Sequence, residues 1–365
     1  MKRIINLVLS LLVALLSQAQ PQLTVEQNLE DYDFAVKYIE NNYSGFPTKV
    51  VDSTRADYES IKTHLRAQVA QGERPGWDAA AEYMAWFNDK HLFIHVAFYN
   101  DKNEYIGWTE QYMKKKEIHY EVLMEYRPTA LACKVTDRTF LIRFPSCEGN
   151  PDMKWIKNSI KLFKKSKCEN LVIDIRGNGG GGDSFWLPYW KLLYDHEAYM
   201  QEPEYRNTPQ NMDYLKAVKW SCASRIISSS LQNPDSEFVG GGLAQSICKK
   251  VDRSVKKAAL IIDNGVASSG EAMVLEIKAT SKRTTIYGND NTSGCLDFSN
   301  VAEIPFKHFD HIFQVPMSRR TGLPETGIDE TGIAPDVRIP LPLPAKLTDN
   351  IDEWIIWVAK QLEAE

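Results

Sequence analysis

The segment Ala259–Glu271, A-L-I-I-D-N-G-V-A-S-S-G-E, constrains this chain more than any other. The apolar run Ala259–Ile262 reads as a buried strand. Asp263-Asn264-Gly265 ends it in a tight turn, because these residues accept the backbone angles a reversal needs. Small residues and two serines follow, and Gly270-Glu271 opens a helical pattern. Strand, turn and helix in so short a span specify an α/β unit. A serine at that junction stands at a helix N-terminus, where free backbone N–H groups point outward. The geometry suits an acyl-transfer nucleophile with an oxyanion hole beside it. It also suits a plain serine N-cap.

A second segment, Asn170–Trp186, repeats the logic. Leu171–Ile175 is apolar enough for a strand buried on both faces, with Asp174 and Arg176 at its exit. Asn178 and four glycines, Gly179–Gly182, come next. Glycine permits positive φ and close approach, so consecutive N–H groups can line an anion-binding hollow. No Gly-Lys-Ser/Thr follows, so this is not a phosphate loop, and the spacing is not the dinucleotide fingerprint. Asp174 and Arg176 are expected to pair and hold the loop.

Two further pieces carry chemistry. Asn88-Asp89-Lys90-His91 lies between a helical pattern ending near Phe87 and an apolar strand, so His91 can reach a site built elsewhere. Gly327–Val337, G-I-D-E-T-G-I-A-P-D-V, places acids in a glycine-bounded loop before a short strand.

Taken together, these pieces resemble the tail-specific, or C-terminal processing, serine peptidase family. They occur in that family's order: D-x-H at Asp89–His91, then D-x-R-x-N-x-G-G from Asp174 through the glycine run. The S-A-S-E-like turn Ser268–Glu271 follows, then T-x-G at Thr292–Gly294 and G-I-x-P-D at Gly332–Asp336. The resemblance spans residues 85–345. It implies an α/β fold with a ClpP/crotonase-like spiral core of β-β-α units behind an N-terminal helical region. One branch of the family uses a lysine after T-x-G; here Thr292-Ser293-Gly294 is followed by Cys295, with no lysine between Arg283 and Pro305. The resemblance is therefore to the Ser-His branch, which includes the tricorn core. It implies Ser268 as nucleophile, His91 as general base and Asp329 as the acid orienting it, with Glu330 and Glu325 as alternatives. Ser269 and Gly179 or Gly180 become the oxyanion donors. Serine is too weakly acidic to attack unaided, histidine takes its proton, and a carboxylate fixes the imidazole tautomer.

Rival readings bear on the same residues. Ser269 is a second candidate nucleophile. Cys295 stands where the dyad lysine would be, but outside a strand-turn-helix setting. His95, four residues after His91, reads as a structural histidine, and Lys278 points away from the nucleophile along its own helix. The aromatics Phe185, Trp186, Tyr189 and Trp190 read as core, in part as an apolar substrate cleft. Family relatives often carry a PDZ module after the histidine. Only about 40 residues separate Phe98 from Thr139, so no complete PDZ module is expected.

Composition narrows the partners. The formal charge is −5, and losing Lys2 and Arg3 takes it to −7, which disfavours nucleic acid. With no H-E-x-x-H or C-x-x-C and seven scattered histidines, no metal or organic cofactor is expected. Met1-Lys2-Arg3, the apolar run Ile4–Leu16 and Ser17-Gln18-Ala19 read as a signal peptide cut after Ala19, with export to a periplasm or the outside. The apolar run is too short to span a bilayer, so no membrane span is expected. Six cysteines then meet an oxidising compartment, and the sequence does not say whether they pair.

The chain divides into a signal peptide (1–19), a helical region (20–91), a peptidase core (92–345) and a C-terminal helix (346–365). Thr24 and Gln27 form a capping box ahead of Leu29, Tyr32, Val36, Ile39 and Tyr43 at helical spacing; Asp52 is a candidate cap for the next helix. Core strands are expected at 92–98, 138–144, 170–175, 257–263, 284–287 and 311–316. Helices are expected at 153–165, 185–195, 212–230 and 268–280. The expected activity is endopeptidase action on unfolded or extended polypeptide. The alternative is a catalytically retired relative that binds apolar small molecules or peptides; a hydrolase of esters or small amides would use the same triad.

Overall fold

Three short apolar strands set the frame. Thr139–Arg143, Asn170–Asp174 and Lys257–Ile261 lie side by side in parallel, and almost every residue in them is buried. Thr284–Gly288 and Val337–Arg338 extend the sheet on one side, also in parallel, and Leu131–Lys134 closes the other side antiparallel. Arg143 and Ile261 both stand opposite Asp174. The strands therefore end at one level, and the loops after Asp174 and after Ile261 leave the sheet as neighbours. Loops at the carboxyl edge of a parallel sheet are where such folds build sites. The computed structural model describes residues 23–95, 98–99, 105–106, 129–344 and 351–364. The expected signal peptide and most of the stretch where a PDZ module would be inserted lie outside the described residues.

Successive strand residues point to opposite faces, and the two faces have different covers. Phe140, Ile142, Leu171, Ile173, Ala258 and Leu260 pack with the helices Met153–Ser166, Leu187–Leu193 and Ser269–Thr280. Leu141, Val172, Ala259 and Ile261 face the last helix, Glu353–Ala364, through Trp354, Ile355, Val358 and Leu362. The mixed α/β architecture with N-terminal helices is the one expected.

A second, antiparallel sheet carries the histidine segment. Ile312–Arg319 pairs along its length with Phe298–Pro305 and, on its other edge, with Phe93–His95 and Glu204–Arg206; Phe238–Gly240 joins beyond. This sheet shares one core with the N-terminal helices Val25–Asn42, Asp52–Ala70 and Gly76–Trp86. Thr24 Oγ1 accepts from the Gln27 N–H and Gln27 Oε1 from the Thr24 N–H, so the capping box forms as expected.

Several local expectations need correction. Val51 is the N-cap of the second long helix and Asp52 its first residue, because the Thr54 hydroxyl takes the Val51 N–H. The single helix expected over 212–230 is two, Pro209–Val218 and Ala223–Gln232, divided where Lys219 turns left-handed at φ 54°. The strands Leu131–Lys134 and Phe298–Pro305 were not expected, since neither is strongly apolar. Nor was the ribbon of Ala198–Gln201 with Leu243–Ser246.

A buried ion network ties the central strands to the last helix. Asp174 Oδ2 accepts from Arg143 Nε and Arg176 Nη2, each at 2.8 Å, and Asp174 Oδ1 from Arg176 Nε at 2.8 Å. Arg176 also reaches Asp352 Oδ2 at 2.8 Å, and Asp352 Oδ1 caps the last helix at the Trp354 and Ile355 N–H groups. Burial alone would raise the Asp174 carboxyl; Arg176 and Arg143 outweigh it, and it lies below the usual carboxylate range. Removing Asp174 leaves two buried arginines sharing Asp352 as the remaining carboxylate of the network, the expensive way to break such a group. Asp174→Ala is expected to lower unfolding free energy by about 3–5 kcal/mol in urea denaturation. A loss under about 1 kcal/mol would show that the network carries little of the stability.

Candidate active site

The turn after Ile261 delivers Ser268 to the start of the helix Ser269–Thr280 in an unusual conformation, φ 53° and ψ −121°. Residues with a Cβ rarely occupy that region, and holding one there costs about 1–3 kcal/mol. Glu271, fully buried on the first turn of the helix, supplies the restraint. Its Oε2 accepts from the N–H groups of Ser268 (3.1 Å) and Cys295 (2.8 Å). Its Oε1 accepts from the Gly294 N–H (2.8 Å) and the Thr292 hydroxyl (2.6 Å). One carboxylate thus binds the serine turn to the T-x-G loop. This explains both motifs together, a role the sequence did not reveal for Glu271.

His91 meets that serine from the other sheet. Its Nε2 lies 3.1 Å from Ser268 Oγ and its Nδ1 2.7 Å from the Phe298 carbonyl oxygen. A carbonyl only accepts, so Nδ1 carries the proton and the Nε2 lone pair faces the serine hydroxyl. That is the tautomer a general base requires. Two neighbours seat the segment. Asp89 Oδ1 accepts the His91 N–H at 2.8 Å and its Oδ2 accepts the Tyr43 hydroxyl at 2.6 Å. Lys90 Nζ donates to the Ser293 carbonyl and hydroxyl at 2.6 and 2.8 Å. Burial, reinforced by Asp89, holds the Tyr43 phenol far above its usual value, so it remains a donor.

Asp329, expected to orient His91, is not hydrogen-bonded to it. Its Oδ1 accepts from the Leu296 and Asp297 N–H groups at 2.8 and 2.7 Å, while Asp297 Oδ2 accepts from the Ile328 and Asp329 N–H groups. Asp329 thus braces the backbone that ends in the Phe298 carbonyl, and that carbonyl occupies Nδ1. The physical reason is that both imidazole nitrogens are already engaged, Nδ1 by the Phe298 carbonyl and Nε2 by Ser268. Burial first, then the nearby Asp89 and Asp297, push the Asp329 carboxyl up to about 8. Of the alternatives, Glu330 is exposed at the cleft and Glu325 exposed on its turn.

The oxyanion donors also divide. Ser269 is the first residue of its helix, so its N–H has no acceptor within the helix. Gly179 is exposed and lines the cleft. The Gly180 N–H, by contrast, is taken by Asn178 Oδ1 at 3.0 Å. Gly180, at φ +106°, packs against the nucleophile: a Cβ there would lie 2.7 Å from Ser268 Cβ.

The rivals have other occupations. The Ser269 hydroxyl donates to Asp183 at 2.6 Å and accepts from Trp186 Nε1 at 3.0 Å, and the imidazole of His91 faces Ser268 instead. Cys295 packs against His91, its Sγ 3.5 Å from Nδ1, but burial pushes its thiol far up, away from the thiolate a nucleophile needs. Lys278 pairs with Asp336 of the G-I-x-P-D segment, away from the serine. Asp174 and Arg176 pair as expected. Trp186, Tyr189 and Trp190 all belong to the core, and Trp186 also lines the cleft. His95 stands opposite Ile312, and its side chain lies outside the described residues. All six cysteines are unpaired, and the described residues hold no group of three or more metal-type ligands. No helix among the described residues is long and apolar enough to cross a membrane.

The raised Asp329 carboxyl has a consequence for stability. The native state holds a proton there that the unfolded chain releases, so this contribution is complete below the ordinary aspartate range and lost as pH rises through about 8. As pH rises from about 4 to about 8 this group should lower the thermal unfolding midpoint of the wild type, and the effect should level off above about 8. Asp329→Asn keeps the Oδ1 acceptor without the charge, and should flatten that decline. An equal decline in both proteins would refute the assignment.

Comparison with known proteins places the chain in a family. The model of peptidase family S41 matches residues 138–339, more than half of the chain. The chain is similar to a putative peptidase from Parabacteroides merdae, at 15% identity and a TM-score of 0.60, over 92% of this chain and 96% of that one. It is similar also to mature CPAF complexed with lactacystin, at 11% identity and a TM-score of 0.62, over 93% and 99%. At such identities the likeness concerns the fold. No curated protein sequence matches. The family match carries the conclusion that the chain belongs to peptidase family S41 and is a serine-type peptidase.

Proposed function

We infer that this protein is an exported serine endopeptidase that cuts unfolded or extended polypeptides through an acyl-enzyme on Ser268. The observation that carries the reading is the 3.1 Å contact between Ser268 Oγ and His91 Nε2, with Nδ1 committed to the Phe298 carbonyl. In the first step His91 Nε2 takes the Ser268 proton as Oγ attacks the scissile carbonyl. The Ser269 and Gly179 N–H groups receive the oxyanion. His91 then returns the proton to the leaving amine, and water repeats the sequence on the acyl-enzyme. The Phe298 carbonyl does the orienting that a carboxylate does elsewhere; as a neutral dipole it stabilises an imidazolium less than a carboxylate would.

The cleft supports the substrate class. It encloses about 2440 Å³ and runs from His91 and Ser268 past Trp186 to the ribbon residues Met200 and Ala244. Small-ligand sites enclose roughly 300–1,000 Å³, so an extended polypeptide suits this cleft better than a small ester or an apolar ligand. Export rests on the basic, apolar and small-residue run Met1–Ala19. The division into a helical region to 91, a core of 92–345 and a C-terminal helix remains part of this reading, although the helices and the second sheet share one core.

The test uses protein beginning at Pro21, with Ser268→Ala and His91→Ala, incubated with unfolded casein and a mixed peptide library and read by mass spectrometry. Wild type should cleave, and each variant should lose at least about 10⁴-fold in kcat. Folded wild-type protein that leaves every peptide intact, or a Ser268→Ala variant that cleaves as wild type does, would overturn the reading.

A further inference from the structure

Asp263, between the central strand and the serine turn, is buried and takes no part in the steps above. Its Oδ1 accepts two backbone N–H groups, Gly177 of the glycine loop at 2.9 Å and Gly265 of the serine turn at 3.0 Å. The two glycines touch: a Cβ on Gly265 would lie 3.0 Å from Gly177 Cα. The same two segments meet again where the Ala267 N–H donates to the Asn178 carbonyl at 3.0 Å, and where Gly180 presses on Ser268. Oδ2 is buried and has no hydrogen-bond partner among the described residues. A carboxylate with one oxygen spanning two loops and the other idle is costly to bury. Its placement is explained by the joint it makes.

We propose that Asp263 is a positioning residue whose Oδ1 clamps the glycine loop, with its oxyanion donor Gly179, onto the turn that carries Ser268. The proposal rests on the peptidase reading for its catalytic consequence, but the clamp itself does not. Ionised, Oδ1 makes two charge-assisted bonds, roughly twice as strong as neutral ones. Protonation at Oδ2 leaves Oδ1 a weaker acceptor and slackens the joint. The charged groups facing Asp263 are Arg176 and Asp174 on the adjoining strand exit, with Arg143 and Asp352 bound behind them. Burial, with a smaller push from Asp174, raises the carboxyl to about 6 against the pull of the Gly177 bond and Arg176. Stability from this group is therefore present in acid and lost as pH rises through about 6, so the charge itself does not stabilise the fold at pH 7.5.

The test compares the chain from Pro21 with its Asp263→Asn and Asp263→Ala variants. Asparagine keeps the Oδ1 acceptor without the charge; alanine removes the clamp. Amide hydrogen exchange across Gly177–Gly182 should quicken by about tenfold or more in Asp263→Ala and by less in Asp263→Asn. On a peptide that wild type cleaves, Asp263→Ala should lower kcat by roughly 10–100-fold with little change in KM. Asp263→Asn should stay within a few-fold, melt no lower than wild type at pH 7.5, and show an acid limb of kcat shallower by one proton. Unchanged loop protection in Asp263→Ala overturns the proposal. If wild type cleaves nothing, the peptidase reading fails, and the exchange experiment still decides the clamp.

Discussion

The parallel register that sets Arg143 and Ile261 opposite Asp174 is the constraint on which the rest of this molecule depends. Hydrogen bonding between parallel strands leaves no freedom to slide one end past another without turning every side chain to the wrong face. With the ends level, the glycine loop and the serine turn must emerge together. Their contacts follow: Gly177 against Gly265, Gly180 against Ser268, Asn178 against Ala267. The buried network of Asp174 with Arg143, Arg176 and Asp352 holds the same edge from behind. A shift of one residue would break both sets at once.

Strain at Ser268 is tolerated because buried acceptors surround it. Glu271 takes four donors from the serine turn and the T-x-G loop, and Asp263 takes two from the serine turn and the glycine loop. Both carboxylates bind mainly backbone N–H groups rather than cations. That arrangement trades Coulombic strength for direction, since an N–H must point at its acceptor while an ammonium need not. The histidine side is seated differently, by Tyr43 through Asp89, by Lys90 on Ser293 and by the Phe298 carbonyl on the ring. Asp329 contributes one step further back, through the backbone at Leu296 and Asp297.

Much of this was legible in the residues. The apolar runs, the Asp263-Asn264-Gly265 turn, the four-glycine loop, the capping box at Thr24 and the pairing of Asp174 with Arg176 act over a few positions. Local chemistry decides such features. The helix break at Lys219 was harder, because the helical spacing of apolar residues carries on through it and nothing local marks a left-handed lysine. Phe298–Pro305 was hidden because its burial alternates only weakly and its partner strand supplies most of its reason to be extended.

The sequence by itself determined the α/β architecture, the strand-turn-helix around Ser268 and the set of residues from which a site had to be built. Hydrophobic period, glycine and small-residue turns and opposite charges two residues apart leave few local alternatives. Only the tertiary structure decided how those residues divide the work. It brought His91 to a serine 177 positions away and to a carbonyl 207 positions away. It spent the Gly180 N–H on Asn178, and turned Asp329 from the imidazole to the backbone beside it. The reason is that backbone N–H and C=O groups are the same in nearly every residue. Which of them ends up as the partner of a side chain is written in the packing of distant elements, and no letter of the chain marks it.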